Sequence, residues 1–139
     1  MLFRSISSKE IMSNLSHNPV LGHITTFGGH PLSCVAGMEA FKQVKSQIAK
    51  VKSKEKLFRK LLRHLKIKEV RGGGLLLAVQ FSSEHENKKI ITKCVESGVI
   101  TDWFLFNPSA MRIAPPLTIS EREIKTACEI ILKCIDETV

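Results

Sequence analysis

The chain has 139 residues, 43% apolar and 24% charged, with a formal net charge of +8. That length builds one domain with a modest core, and the balance of apolar and charged residues excludes a disordered chain. The longest apolar run, Leu75 to Val79, is far too short to cross a bilayer. The opening "MLFRSISSKE" lacks the apolar stretch and cleavage site of a signal or transit peptide.

Residues 1–7 are expected to form a short strand. Ser8 caps a brief helix, "KEIMSNLS", that Asn18-Pro19 ends. Residues 22–29 read as loop, and Pro31 suits the first turn of a helix, where its missing N–H costs nothing. Apolar residues then recur at mostly helical spacing from Leu32 to Leu65. The pattern is weakest over Ser46 to Ser53, which predicts two amphipathic helices with a break between them.

At "EVRGGGLLLAVQF" the period changes. A strand is expected at 75–81, with Glu69 to Arg71 as a lead-in across a glycine kink. A helix from about Glu84 to Ser97 follows, closed by Gly98. "VIT" at 99–101 reads as a strand, Asn107-Pro108 as a turn, and "AMRIA" at 110–114 as another strand. Ser120 and Glu123 make a capping box that opens a last helix. The order predicts an α+β layer, a small sheet with helices packed on one side.

The positive charge is local. Between Lys42 and Lys68, eleven Lys or Arg accompany one acid, Glu55, a net of +10, while the rest of the chain sums to −2. A lysine-rich helix face suits a polyanion, although few aromatics interleave with it and a solvated surface is the plainer reading. The four cysteines (Cys34, Cys94, Cys128 and Cys134) include no C-x-x-C pair and read as reduced, partly buried thiols of a cytoplasmic protein. The histidines (His17, His23, His30, His64 and His85) include no pair at i, i+4, so no metal site is expected. The triple glycine lacks both the G-x-G-x-x-G and the G-K-[ST] patterns, which leaves a backbone kink as its reading.

Two places carry candidate chemistry. In "TTFGGHP", the Thr25 and Thr26 hydroxyls, the Gly28-Gly29 amides and a helix start together suit a phosphate or carboxylate, with a plain turn as the alternative. Arg112 stands inside an apolar strand, either snorkelling out of a sheet or held for a planar carboxylate.

Three stretches together resemble the class III pyridoxal-phosphate aminotransferases, of the acetylornithine and ornithine type. "HITTFGGHPLSCVAGMEAF" is similar to their T-[YF]-G-G-N-P segment, "VRGGGLLLAVQF" to their V-R-G-x-G-L strand, and "MRIAPPLTISEREIKTACEIILKCI" to their closing R-[FILV]-x-P-P-L strand and helix. His30 departs from the usual asparagine. The resemblance implies the C-terminal portion of that fold: residues 1–30 a remnant of the large domain with its interface loop, and 31–139 connecting helices and a small antiparallel domain.

By the same resemblance, Thr26, with Thr25 shaping the loop, would reach the phosphate of pyridoxal 5'-phosphate held by another subunit of a homo-oligomer. Arg112 would meet the substrate carboxylate. The parent reaction would move an amino group from an amino acid to a 2-oxo acid such as 2-oxoglutarate. The family's Schiff-base lysine and its D-E-V-Q acid have no counterpart in the chain, so no catalytic residue is assigned and inactivity of the chain alone is expected. The alternative is a free-standing interaction or dimerisation module whose basic helix face binds nucleic acid.

Overall fold

A computed structural model describes residues 8–14 and 27–138. The chain divides into two compact units, Met1–Phe41 and Lys42–Val139. In the first unit, helix α1 spans Lys9–Ser13, with Ser8 as its N-cap accepting from the Ile11 amide. It stops at Asn14, whose side chain donates back to the Ile11 carbonyl at 3.0 Å. The strand expected at 1–7 and the stop expected at Asn18-Pro19 lie outside the described residues.

Helix α2 spans Pro31–Leu61 without interruption, so the break expected between Ser46 and Ser53 is absent. No Gly or Pro lies in that stretch, and both serines turn their hydroxyls back into the helix. Ser46 donates to the Gln43 carbonyl and Ser53 to the Lys50 carbonyl, each at 2.8 Å. The weak apolar period there marks a solvated stretch of helix and not its end.

The second unit holds β1 (Glu69–Gly73), β2 (Leu76–Gln80), α3 (Glu84–Glu96), β3 (Asp102–Phe104), β4 (Asn107–Ile113) and α4 (Glu121–Asp136). The four strands pair antiparallel in the order β1-β2-β4-β3. Leu77 and Val79 on β2 and Met111 and Ile113 on β4 face the core. There they join Phe58 and Leu62 of the α2 end, Ile90 and Cys94 of α3, and Ile124, Cys128, Ile131 and Ile135 of α4. The expected α+β layer is therefore the observed one, a small antiparallel sheet with helices on one face.

The glycine kink proves to be a hairpin. Glu69–Gly73 is a full strand, and Gly74 at φ +60° turns it into β2. Gly72 at φ +119° has no room for a side chain, because a Cβ there would collide with the Leu76 carbonyl oxygen and crowd the Leu77 Cα. A polar clamp from α2 holds the hairpin. Glu55 accepts from Arg59 Nε at 2.9 Å and from the Gly74 amide at 2.8 Å. Arg59 in turn donates to the Val70 carbonyl and, at 2.8 Å, to that of Gly72.

Two further expectations shift by a few residues. Residues 99–101 are not a strand, since the Val99 amide returns to the Cys94 carbonyl at 2.8 Å and β3 begins only at Asp102. Asn107-Pro108 is not the turn. Leu105 and Phe106 make it, and β4 runs through Pro108 beside an irregularity in the β3–β4 register, where a missing N–H is tolerated. Ser120 and Glu123 form the expected capping box, and Lys54, buried on α2, donates to the Leu117 carbonyl at 2.6 Å to hold the segment before it.

Two outcomes test these devices. Gly72→Ala should lower stability in chemical denaturation by at least ~2 kcal/mol, while Gly73→Ala, with nothing within 4 Å of its Cβ, should be mild. The second concerns acid. Hydrogen bonds from Arg59 and the Gly74 amide hold the Glu55 carboxyl below 4.5, and those from Ser120 do the same for Glu123. Both carboxylates thus bind protons more weakly in the folded chain, so their stabilisation is present above 4.5 and lost as pH falls through the lowered values. Melting temperature should fall less steeply below pH 4.5 in Glu55→Gln/Glu123→Gln than in the parent chain.

Candidate functional site

Pairing of β2 with β4 sends alternate side chains to the face that the helices leave open. One row crosses all four strands there: Arg71 pairs with Ala78, Ala78 with Arg112, and Arg112 with Asp102. Ala78 is short, so the two long side chains flanking it cover it to 8% exposure. Both arginines hold an acid. Arg112 Nη2 bonds Asp102 Oδ2 at 3.1 Å, and Arg71 Nη1 bonds Glu69 Oε2 at 3.2 Å. The Thr101 hydroxyl adds a bond to the Arg112 carbonyl at 2.7 Å.

The next row is polar and closed on itself. Gln80 Oε1 accepts from Arg71 Nη2 at 3.0 Å and from Asn107 Nδ2 at 2.9 Å, while its amide donates to Ser109 Oγ at 2.7 Å. This network fixes Arg71 more fully than Arg112. Arg112 makes a single side-chain bond among the described residues, which leaves most of its N–H groups without a protein acceptor there. Of the two readings for an arginine in this strand, the structure supports an outward-facing guanidinium, half-exposed and steered by Asp102.

A cleft of about 440 Å³ opens beside it, walled by Phe58, Val99, Ile113 and Ile131 and rimmed by Thr101 and Thr118. Neither Asp102 nor Arg71 stood out in the sequence as a site residue. The signal was the register that brings "VRGGG" level with "MRIA", which spacing along the chain does not reveal.

Thr25 and Thr26 lie outside the described residues. The turn after them is present. Phe27 to Gly29 bend, with Gly29 at φ +73°, and the His30 amide donates to the Phe27 carbonyl at 3.2 Å just before α2 begins at Pro31. The His30 ring meets the Phe27 ring edge-on, with centroids 6.4 Å apart. Among the described residues no group of His, Cys, Asp or Glu could hold a metal, and no helix is long and apolar enough to cross a membrane.

A sheet with one helical face, an outward arginine in the R-x-x-P-P strand and a glycine turn feeding α2 together match a known family. The aminotransferase class-III family aligns with residues 2–135, and the chain belongs to it. The ornithine aminotransferase of Toxoplasma gondii is 31% identical and superposes with a TM-score of 0.74 over 84% of this chain and 29% of its own. That of Plasmodium falciparum is 28% identical, with a TM-score of 0.69 over 84% and 31% of the two chains. A Bacillus anthracis aminotransferase, 20% identical, shares the fold at a TM-score of 0.76 over 92% of this chain and 34% of its own. The chain thus spans about a third or less of the length of each.

The Toxoplasma structure holds pyridoxal phosphate at its active site with partial occupancy. The cleft beside Arg112 does not fit the reactive part of that cofactor, which needs an amine to anchor it and an acid at its ring nitrogen. No lysine lines the cleft beside Arg112, and the one carboxylate that does, Glu123, is held by Ser120.

The cysteines give a direct check on the packing around α3 and α4. Burial pushes the Cys94 and Cys128 thiols up to about 12, and Cys134 is equally enclosed, whereas Cys34 is exposed. A thiol reagent at neutral pH should modify one of the four cysteines rapidly and the other three only on unfolding. Mass spectrometry of the native chain reads the count.

Proposed function

We propose that these 139 residues are the C-terminal portion of an aminotransferase of the ornithine or acetylornithine type. Residues 1–30 would be the large-domain remnant and 31–139 the connecting helices and small domain. The parent reaction would transfer an amino group from an ω-amino donor to a 2-oxo acid such as 2-oxoglutarate, with pyridoxal 5'-phosphate as the cofactor that accepts and returns the amino group. The observation that carries this reading is Arg112, presented on the open sheet face with Asp102 beside it, in a chain that aligns with the family over residues 2–135.

In this reading Arg112 grips the substrate carboxylate with a planar fork. Asp102 keeps the guanidinium in plane until the carboxylate takes its place. Thr26, with Thr25 shaping the loop and the amides of the Gly28-Gly29 turn beside it, meets the phosphate of a cofactor held by another subunit. All of these groups position anions, and none moves a proton, so the chain alone is inactive. Association is part of the proposal. Phe27, Leu32, Val35, Met38 and Phe41 are each more than half exposed, an apolar stripe suited to a second copy.

The test mixes the 139-residue protein with pyridoxal phosphate and an amino donor, reduces with borohydride and maps labelled lysines. Scattered, substoichiometric labelling without turnover is expected. One stoichiometric lysine together with turnover would overturn the inactivity. In parallel, 2-oxoglutarate binding read by NMR should weaken roughly tenfold in Arg112→Gln and partly recover in Arg112→Lys, while equal binding in all three removes Arg112 from the site.

A further inference from the structure

Three basic residues of α2 and the segment after it are committed to the fold. Lys54 is committed to the Leu117 carbonyl, Arg59 to Glu55 and two strand carbonyls, and Lys66 to the Ile135 and Thr138 carbonyls at the end of α4. Lys45, Lys52, Lys56, Lys60 and Arg63 are different. All five are exposed, and none makes an ion pair or side-chain hydrogen bond among the described residues.

Four of them follow at steps of seven, four and four residues, which keeps them within about 60° of one line on the helix surface. That line runs roughly 22 Å from Lys45 to Lys60, and Arg63 extends it just past the helix end. No acid interrupts it. Glu55, at its border, is already neutralised by Arg59. Like charges left in a row without partners repel one another, and the fold gains nothing from aligning them.

We infer that this ridge is a docking surface for duplex nucleic acid, held through the phosphate backbone and without sequence preference. Charge complementarity identifies the occupant as a linear polyanion. A bilayer would need a continuous row of apolar side chains beside the cations, yet beside Lys52, Lys56 and Lys60 that row is spent on the core, with Phe58 and Leu62 each 2% exposed, and Ile48 alone stands open along the ridge. A single strand would need exposed aromatics for its bases, and the ridge from Lys45 to Arg63 has none, its one aromatic, Phe58, being buried. A duplex backbone asks only for spaced cations, which is what the ridge offers. The surface is independent of the transamination reading, because it lies on α2 and not on the open sheet face.

The experiment titrates the 139-residue protein against a fluorescent mixed-sequence duplex of about 20 base pairs over a range of salt. Binding should weaken with salt along a log–log slope of about −3 to −4, each phosphate contributing about 0.9. Lys45→Gln/Lys52→Gln/Lys56→Gln should cut that slope by about 2 to 3. The control Lys9→Gln/Lys89→Gln/Lys125→Gln removes the same charge away from α2 and should leave the slope within one unit of the parent. Equal slopes in the two triple variants, absence of binding at low salt, or tighter binding to phosphatidylserine vesicles than to the duplex would each overturn the proposal. Circular dichroism confirms that both variants are folded, so a lost slope reports the ridge itself.

Discussion

The antiparallel pairing of β2 with β4 is the constraint on which the rest of the second unit depends. Leu77 lies opposite Ile113 and Val79 opposite Met111, and these pairs form the sheet's contribution to the core. The pleat has a period of two, so the same pairing fixes Ala78 and Arg112 on the other face. A slip of β4 by one residue would drive the Arg112 guanidinium into a dry core and bring Met111 and Ile113 out to water. The cost of that slip, a buried unpaired charge, is far larger than the worth of any bond Arg112 makes on the surface. Packing therefore aims the arginine, and Asp102 only trims its direction.

The same logic shows which features were legible in the sequence. The last helix was plain, because Ser120 and Glu123 are local and their bonds depend on a three-residue spacing. The open-face arginine was visible as an anomaly, a charge inside "AMRIA", but its partner was not. Asp102 meets Arg112 only through the β3–β4 ladder, and that ladder contains an irregularity at Trp103 and Phe104 that no short-range pattern announces. The triple glycine misled in an instructive way. Glycine weakens a strand on propensity grounds, yet Gly72 sits in one because the strand must approach Leu76 too closely for any side chain. The serines of α2 misled in the opposite direction. They favour helix ends when their hydroxyls compete with the backbone, and here they bond back into the helix.

Helix α2 shows how one element serves several surfaces. One face gives Phe58 to the core. A second gives Glu55 and Arg59 to the β1–β2 hairpin, where they satisfy an amide and two carbonyls that the turn leaves open. Arg59 reaches the carbonyls on either side of Arg71, so the clamp that secures the hairpin also holds the strand from which Arg71 projects. The third face carries the unpaired lysines, and the two anchored faces fix its direction. Without the clamp and the core contact, nothing would hold the lysines in line.

Two kinds of cationic surface thus coexist on this chain, and their chemistry differs. On the sheet, each arginine is planar, paired with an acid and held by a rigid strand. A ligand that binds there shares or takes over a guanidinium already facing a carboxylate, which favours groups with the same flat, two-oxygen shape. On α2 the lysines are compact charges on flexible stems with no partner to displace, so they accept phosphates at many angles and discriminate little among them. The first arrangement gives selectivity through a planar group whose direction its own acid sets. The second gives attraction that depends on charge density and falls with salt. Under the two proposals, a substrate carboxylate would suit the open face of the sheet and an extended polyanion the helix, and neither surface would be chemically suited to the other's ligand.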